Sequence, residues 1–109
     1  MKQLITAINQ FRDERNWRQF HNEKDLAISI SLEACELLEH FQWKTSEEAL
    51  ENQAAIEDEL ADVFTYAIML ADNLGCDIEE IILRKLDKNA EKYPIEKSFG
   101  NKQKYTELD

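Results

Sequence analysis

Apolar residues recur along this chain at helical spacing rather than at the two-residue spacing of a strand. Leu4, Ile5, Ile8 and Phe11 share one face at 3.6 residues per turn and predict a first helix ending near Arg15. The stretch NWRQFHNE interrupts the pattern. Asn22 then offers a cap, with Asp25 at the third helical position, and opens a second helix that runs to about Phe41. Inside it AISISL alternates like a strand, but EACELLEHF continues the run at helical period, so the segment is read as helix. Thr45 and Glu48 have capping-box spacing and open a short helical segment, followed by a long third helix from about Ala54 to Leu74. Gly75 stops it. Asp77 and Glu80 repeat the capping-box spacing and start a fourth helix that ends at Tyr93, before Pro94. Residues 94–109 read as a polar tail containing Gly100. No solenoid-period repeat or low-complexity segment occurs.

Composition agrees with an all-α protein. Only 2 Gly and 1 Pro interrupt the 109 residues, a length that suits one core. The expected organisation is a domain over 1–93 and a tail over 94–109. No apolar run reaches the roughly 18 residues of a membrane span. The N-terminal MKQLITAINQFRDE turns charged too soon for a signal peptide. Cys35 and Cys76 form no CxxC-type pair and define no disulfide framework. These features predict a reduced, cytoplasmic protein without a membrane partner. The formal net charge of −10 argues against bare nucleic acid as a partner, since Lys and Arg drive phosphate binding. It leaves room for a phosphate-bearing small molecule if divalent cations lie between the two sets of negative charge.

The carboxylates carry the candidate chemistry. At about 100° per residue, Ser29, Glu33, Glu36 and His40 fall on one stripe of the second helix. Leu26 and Leu37 border it on one side and Leu32 on the other. In EDELADVFTYAIML of the third long helix, Glu59, Asp62 and Tyr66 form a similar stripe, bordered by Val63, Met69 and Leu70. Each helix therefore sets an i,i+3 carboxylate pair among residues that pack inward. Burying four such groups unpaired is costly, and like charges raise one another's pKa. The stripes could face water, or Lys and Arg could neutralise them. Two phased pairs with apolar borders instead favour a shared metal site, whose oxygen-only donors suit Mg²⁺ or Mn²⁺ better than Zn²⁺.

Other chemistries find little support. A ferritin-like di-iron centre needs Glu-x-x-His motifs, whereas Glu36 and His40 are four apart. His21, His40, Cys35 and Cys76 lack zinc-motif spacing. No GxxxxGK[ST], GxGxxG or GxSxG is present.

The segments RNWRQFHNEKDLAISISLEACELLEHFQW, EDELADVFTYAIMLADNLG and KLDKNAEKYP together resemble the MazG-like nucleotide pyrophosphohydrolases. The resemblance is to the single-domain branch that includes the dCTP pyrophosphatases, and it covers the chain in order from about Phe11 to Leu108. It implies an all-α, four-helix bundle-like protomer of the MazG type that assembles as a homodimer or homotetramer. It also implies a nucleoside triphosphate substrate, Mg²⁺ with Mn²⁺ as a substitute, and metal ligation by Glu33, Glu36, Glu59 and Asp62. Trp17 and Trp43 match aromatic positions that flank the base, although both also suit a core. His21 lies in the matching QFH segment, Tyr66 matches a tyrosine near the sugar or phosphates, and Lys85 and Asn89 match phosphate or sugar contacts. Ile8 departs from the pattern. It stands where the dCTP-specific animal relative places a base-contacting histidine, so the resemblance does not extend to narrow cytosine specificity.

The implied reaction is Mg²⁺-dependent hydrolysis of nucleoside or deoxynucleoside triphosphates to monophosphate and pyrophosphate. Glu33 or Glu36 would orient or activate water, in a nucleotide-pool house-cleaning role open to dCTP or modified pyrimidines. The alternative is a non-catalytic helical interaction module whose acidic stripes meet basic side chains of a partner.

Overall fold

Asn22 caps the second helix as the sequence predicts. In the computed structural model, which describes all 109 residues, its side chain accepts a hydrogen bond from the Asp25 N–H and caps α2 (Glu23–Glu39). This satisfies one of the four N–H groups that a helix start leaves without partners. Ahead of it lie α1 (Lys2–Glu14) and a short 3-10 turn, Arg18–Phe20. After it come α3 (Ser46–Leu50), α4 (Gln53–Asn73), α5 (Ile78–Lys92) and α6 (Ile95–Ser98), with a 3-10 turn at Tyr105–Glu107. No strand forms. No helix is long and apolar enough to cross a membrane.

Local chemistry accounts for most boundaries. Thr45 and Glu48 close a reciprocal capping box on α3. Asp77 accepts from the Glu80 N–H, but the Glu80 carboxylate does not reach back to complete the box. It lies 3.8 Å from the Arg84 guanidinium one turn along α5. The second helix ends two residues short of Phe41. There the N–H groups of Phe41 and Gln42 bond to carbonyls three residues back, which tightens the chain, and Trp43 then takes φ +63°. Gly75 sits at φ +68° after α4, where a residue without Cβ is least strained. The stretch read as a polar tail contains α6, which starts directly after Pro94.

The chain divides into two compact units, residues 1–75 and 76–109. In the first, α2 packs along α4, and α1 and α3 also lie against α4. Its buried apolar side chains are Ile8, Leu26, Ala49, Ile68, Met69 and Ala71. Arg12 is fully buried with them. It continues the Ile5–Ile8 face of α1, where the period calls for an apolar residue, and so needs compensating bonds. Its Nε donates to Asn9, and its Nη2 donates to Asp72 and Asn73 of α4, each at 3.2 Å. In the second unit, the Tyr93 and Tyr105 rings meet edge to face at 6.1 Å, and the Lys92 ammonium lies over Tyr105.

Candidate active site

The α2–α4 contact turns two sequence stripes into one acidic cluster. Carboxylate oxygens of Glu33 from α2 and of Glu59 and Asp62 from α4 all lie within 4.8 Å of one another. Glu36, one turn along α2 from Glu33, is exposed and stands outside this trio, though it still acts on the Glu33 carboxyl. The His40 Nε2, at the end of α2, lies 3.9 Å from the Glu59 Oε1.

Crowding shows in the protonation of Glu33. Its pKa is raised from 4.5 to about 7. Burial is the largest cause, followed by a hydrogen bond and the charge of Glu36, then the charge of Asp62 and a hydrogen bond with Glu59. The Tyr66 phenol is also pushed up, first by burial and then by the charges of Glu33, Asp62 and Glu36, so it remains a hydrogen-bond donor.

The donor set fits a divalent cation. The Glu33 Oε2 and the Glu59 Oε2 are both buried with no hydrogen-bond partner, which is costly unless something cationic meets them. All of the clustered donors are carboxylate oxygens, the chemistry that hard cations take. Their spread is comparable to twice a metal–oxygen bond of about 2.0–2.6 Å.

A cavity of about 470 Å³ opens beside the cluster, between α1, the 17–21 segment and α4. That volume falls in the range of small-molecule sites, about 300–1,000 Å³. Ala7, Ile8 and Phe11 line it from α1, Trp17 and His21 from the connecting segment, and Asp62, Thr65, Tyr66 and Met69 from α4. Phe11 and Trp17 meet edge to face at 5.7 Å, and Trp17 and His21 do so at 6.3 Å. Asp62 therefore belongs to both the acidic cluster and the cavity wall.

Other residues singled out from the sequence lie elsewhere. Trp43 is 94% exposed and is not in the cavity wall. Lys85 is exposed and Asn89 half-buried on α5, in the second unit. Cys35 is exposed. The cavity floor from Ala7, Thr65 and Met69 was not legible as a site, since these residues look like ordinary helix-face positions. The bonded group of Asn9, Arg12, Asp72 and Asn73 was also missed. The signal available for it was a charged residue on the apolar face of α1.

Comparison with known proteins gives a family and a fold. The MazG-like family profile matches residues 28–108. dCTP pyrophosphatase 1 from Bos taurus and from Homo sapiens are each 37% identical to this chain over 105 residues, covering 91% of it. The chain spans 62% of the length of these relatives. The crystal structure of a pyrophosphatase from Archaeoglobus fulgidus superposes with a TM-score of 0.82 at 42% identity, covering 86% of this chain and 92% of that one. By its profile match and its helical architecture, the chain belongs to the MazG-like family.

Proposed function

We propose that this protein hydrolyses nucleoside triphosphates between the α- and β-phosphates, releasing a monophosphate and pyrophosphate. The observation that carries this reading is the position of Asp62, at once in the acidic cluster and in the wall of an aromatic cavity. A nucleotide has the same two parts, a flat apolar base and a run of anionic oxygens. The base fits against Trp17 and Phe11, and its phosphates extend toward Glu33, Glu59 and Asp62. The relatives named for dCTP and pyrophosphate chemistry support the same reaction. The lining residue Ile8 offers no hydrogen bond, which favours tolerance toward the base, modified pyrimidines included.

Glu33, Glu59 and Asp62, with Glu36 at the margin of the set, are the residues proposed to hold divalent cations, Mg²⁺ in preference to Mn²⁺. Bound there, such ions neutralise phosphate charge and stabilise the charge that develops on the transferred phosphorus. Glu36 is exposed and outside the close trio, which leaves its oxygens free to orient a water and accept its proton. Tyr66, protonated in the cavity wall, donates a hydrogen bond to the sugar or a phosphate. His21 and Trp17 hold the base from the connecting segment. Trp43 is a further proposed substrate contact, and residues 1–93 form the proposed domain, with 94–109 as its tail.

The test is product analysis. Incubated with a nucleotide panel and Mg²⁺ in ¹⁸O-labelled water, the protein should yield monophosphate carrying the label and unlabelled pyrophosphate. Label in pyrophosphate, or a diphosphate product with inorganic phosphate, would mean that the attack is wrongly placed. No turnover across the panel would favour the interaction-module alternative.

Self-association belongs to the same proposal. Leu32 and Leu38 of α2 and Phe64 of α4 are 58–61% exposed, and Trp43 is 94% exposed. Such apolar area on paired helices is more than a lone unit of this size usually leaves in water. A homodimer, or a homotetramer built from it, should appear by light scattering at micromolar concentration. A monomer alone would contradict this part of the reading.

A further inference from the structure

The cavity wall formed by Trp17 and His21 is a connecting segment, not a helix, so something must hold it in place. Behind it lies a polar group centred on the buried Arg12. The Arg12 Nη2 donates to the Asp72 Oδ2 and the Asn73 Oδ1, each at 3.2 Å. The Asn73 Nδ2 in turn donates to the His21 carbonyl at 2.6 Å. Arg18, within the segment, places its Nη1 4.0 Å from the same Asp72 Oδ2. Arg12 is fully buried, and Asp72 and Asn73 are half-buried at the end of α4, beyond the stretch that carries Glu59 and Asp62. None of the three lines the cavity.

We propose that Arg12, Asp72 and Asn73 form a positioning clamp that fixes the Trp17–His21 wall from behind and so sets substrate affinity without touching substrate. Asn73 is the key member, because its amide joins the buried guanidinium on one side to the backbone of the wall on the other. The Asn73 amide accepts from Arg12 through its oxygen and donates to the His21 carbonyl through its nitrogen. The same arrangement bears on the imidazole. The His21 pKa is lowered, first by burial and then by the charges of Arg12 and Arg18, which favours a neutral ring beside the cavity.

The inference rests on the proposed hydrolase reading for its kinetic test, and it has a second test that does not. Asn73→Asp keeps the acceptor for Arg12 but removes the donor to His21. It should raise KM for a nucleoside triphosphate about five- to tenfold, the scale of one lost hydrogen bond, with kcat unchanged. The Mg²⁺-induced rise in melting temperature should also be unchanged. In a Trp43→Phe background, where Trp17 is the sole tryptophan, acrylamide quenching of Trp17 should increase on Asn73→Asp without any substrate present. Asn9→Ala is the control. Asn9 bonds Arg12 and Asp72 but makes no bond to the segment, so this variant should lower stability and leave KM and quenching as they were. Asn73→Ser, which shortens the side chain, serves the same comparison if the charged variant fails to fold. A fall in kcat at constant KM, or unchanged quenching, would overturn the clamp. Absence of turnover in the wild type would overturn the hydrolase reading, and the quenching result would then decide the clamp alone.

Discussion

Glu36→Gln should lower turnover by about 10²–10⁴-fold, the scale of a lost general base, while leaving the Mg²⁺-linked gain in melting temperature largely in place. The expectation follows from the division among the four carboxylates. Glu33, Glu59 and Asp62 bring oxygens within 4.8 Å of one another, whereas Glu36, also exposed, stands outside this trio. Glutamine keeps the size and one acceptor oxygen of Glu36 but cannot take a proton from water. Glu59→Gln should lose both activity and metal-linked stabilisation, because it removes charge from the trio. Glu47→Gln should change neither, since Glu47 lies in the first turn of α3 and outside the cluster. Steady-state kinetics with one triphosphate, paired with melting curves with and without Mg²⁺, separates the three. If Glu36→Gln loses the metal effect as completely as Glu59→Gln, Glu36 serves mainly as a ligand, and water is handled by another group.

That division marks where the sequence stops being readable. Helical phase places Glu33 and Glu36 on one stripe and Glu59 and Asp62 on another, and caps at Asn22, Thr45 and Asp77 bound the helices. Phase says which residues share a face. It does not say how far one helix slides along another, and that offset decides which carboxylates touch. The α2–α4 packing brings Glu33 opposite Glu59 and Asp62 and leaves Glu36 at the margin. The cavity was hidden for a related reason. Its walls come from three elements, and Ala7, Thr65 and Met69 mean nothing locally until α1 and α4 converge.

Arg12 shows a different limit. A charged residue on an apolar face reads as an interruption, because its partners Asp72 and Asn73 are about sixty positions away in sequence. The tail illustrates the opposite case, a segment too short for its period to be seen. Four residues of α6 make barely one turn, below the length at which apolar spacing distinguishes helix from loop.

Stability of the metal-free protein should fall as pH rises between about 4.5 and 7, and divalent cations should reverse that fall. The sign follows from Glu33. Its pKa is raised from 4.5 to about 7 in the fold, so between these values the native state holds a proton that the unfolded chain has released. Where the native state binds more protons, unfolding becomes easier with rising pH. The stabilisation is complete below the unfolded pKa and is lost as pH passes the folded one. With allowance for partial solvent screening, the loss is on the order of 1–3 kcal/mol. For a domain of this size that corresponds to roughly 4–8 °C of melting temperature per kcal/mol. A cation that binds only the folded state adds RT ln(1 + [L]/Kd), about 2.7 kcal/mol at a hundredfold excess over Kd. It competes with the Glu33 proton, so Mg²⁺ should stabilise the protein far more at about pH 8 than at about pH 5. Glu33→Gln should flatten both effects together, removing the pH slope and most of the metal response. Melting curves across this pH range, in chelator and in Mg²⁺, read both at once. An equal Mg²⁺ response in the wild type and in Glu33→Gln would assign it to general screening of a chain of net charge −10 rather than to this cluster.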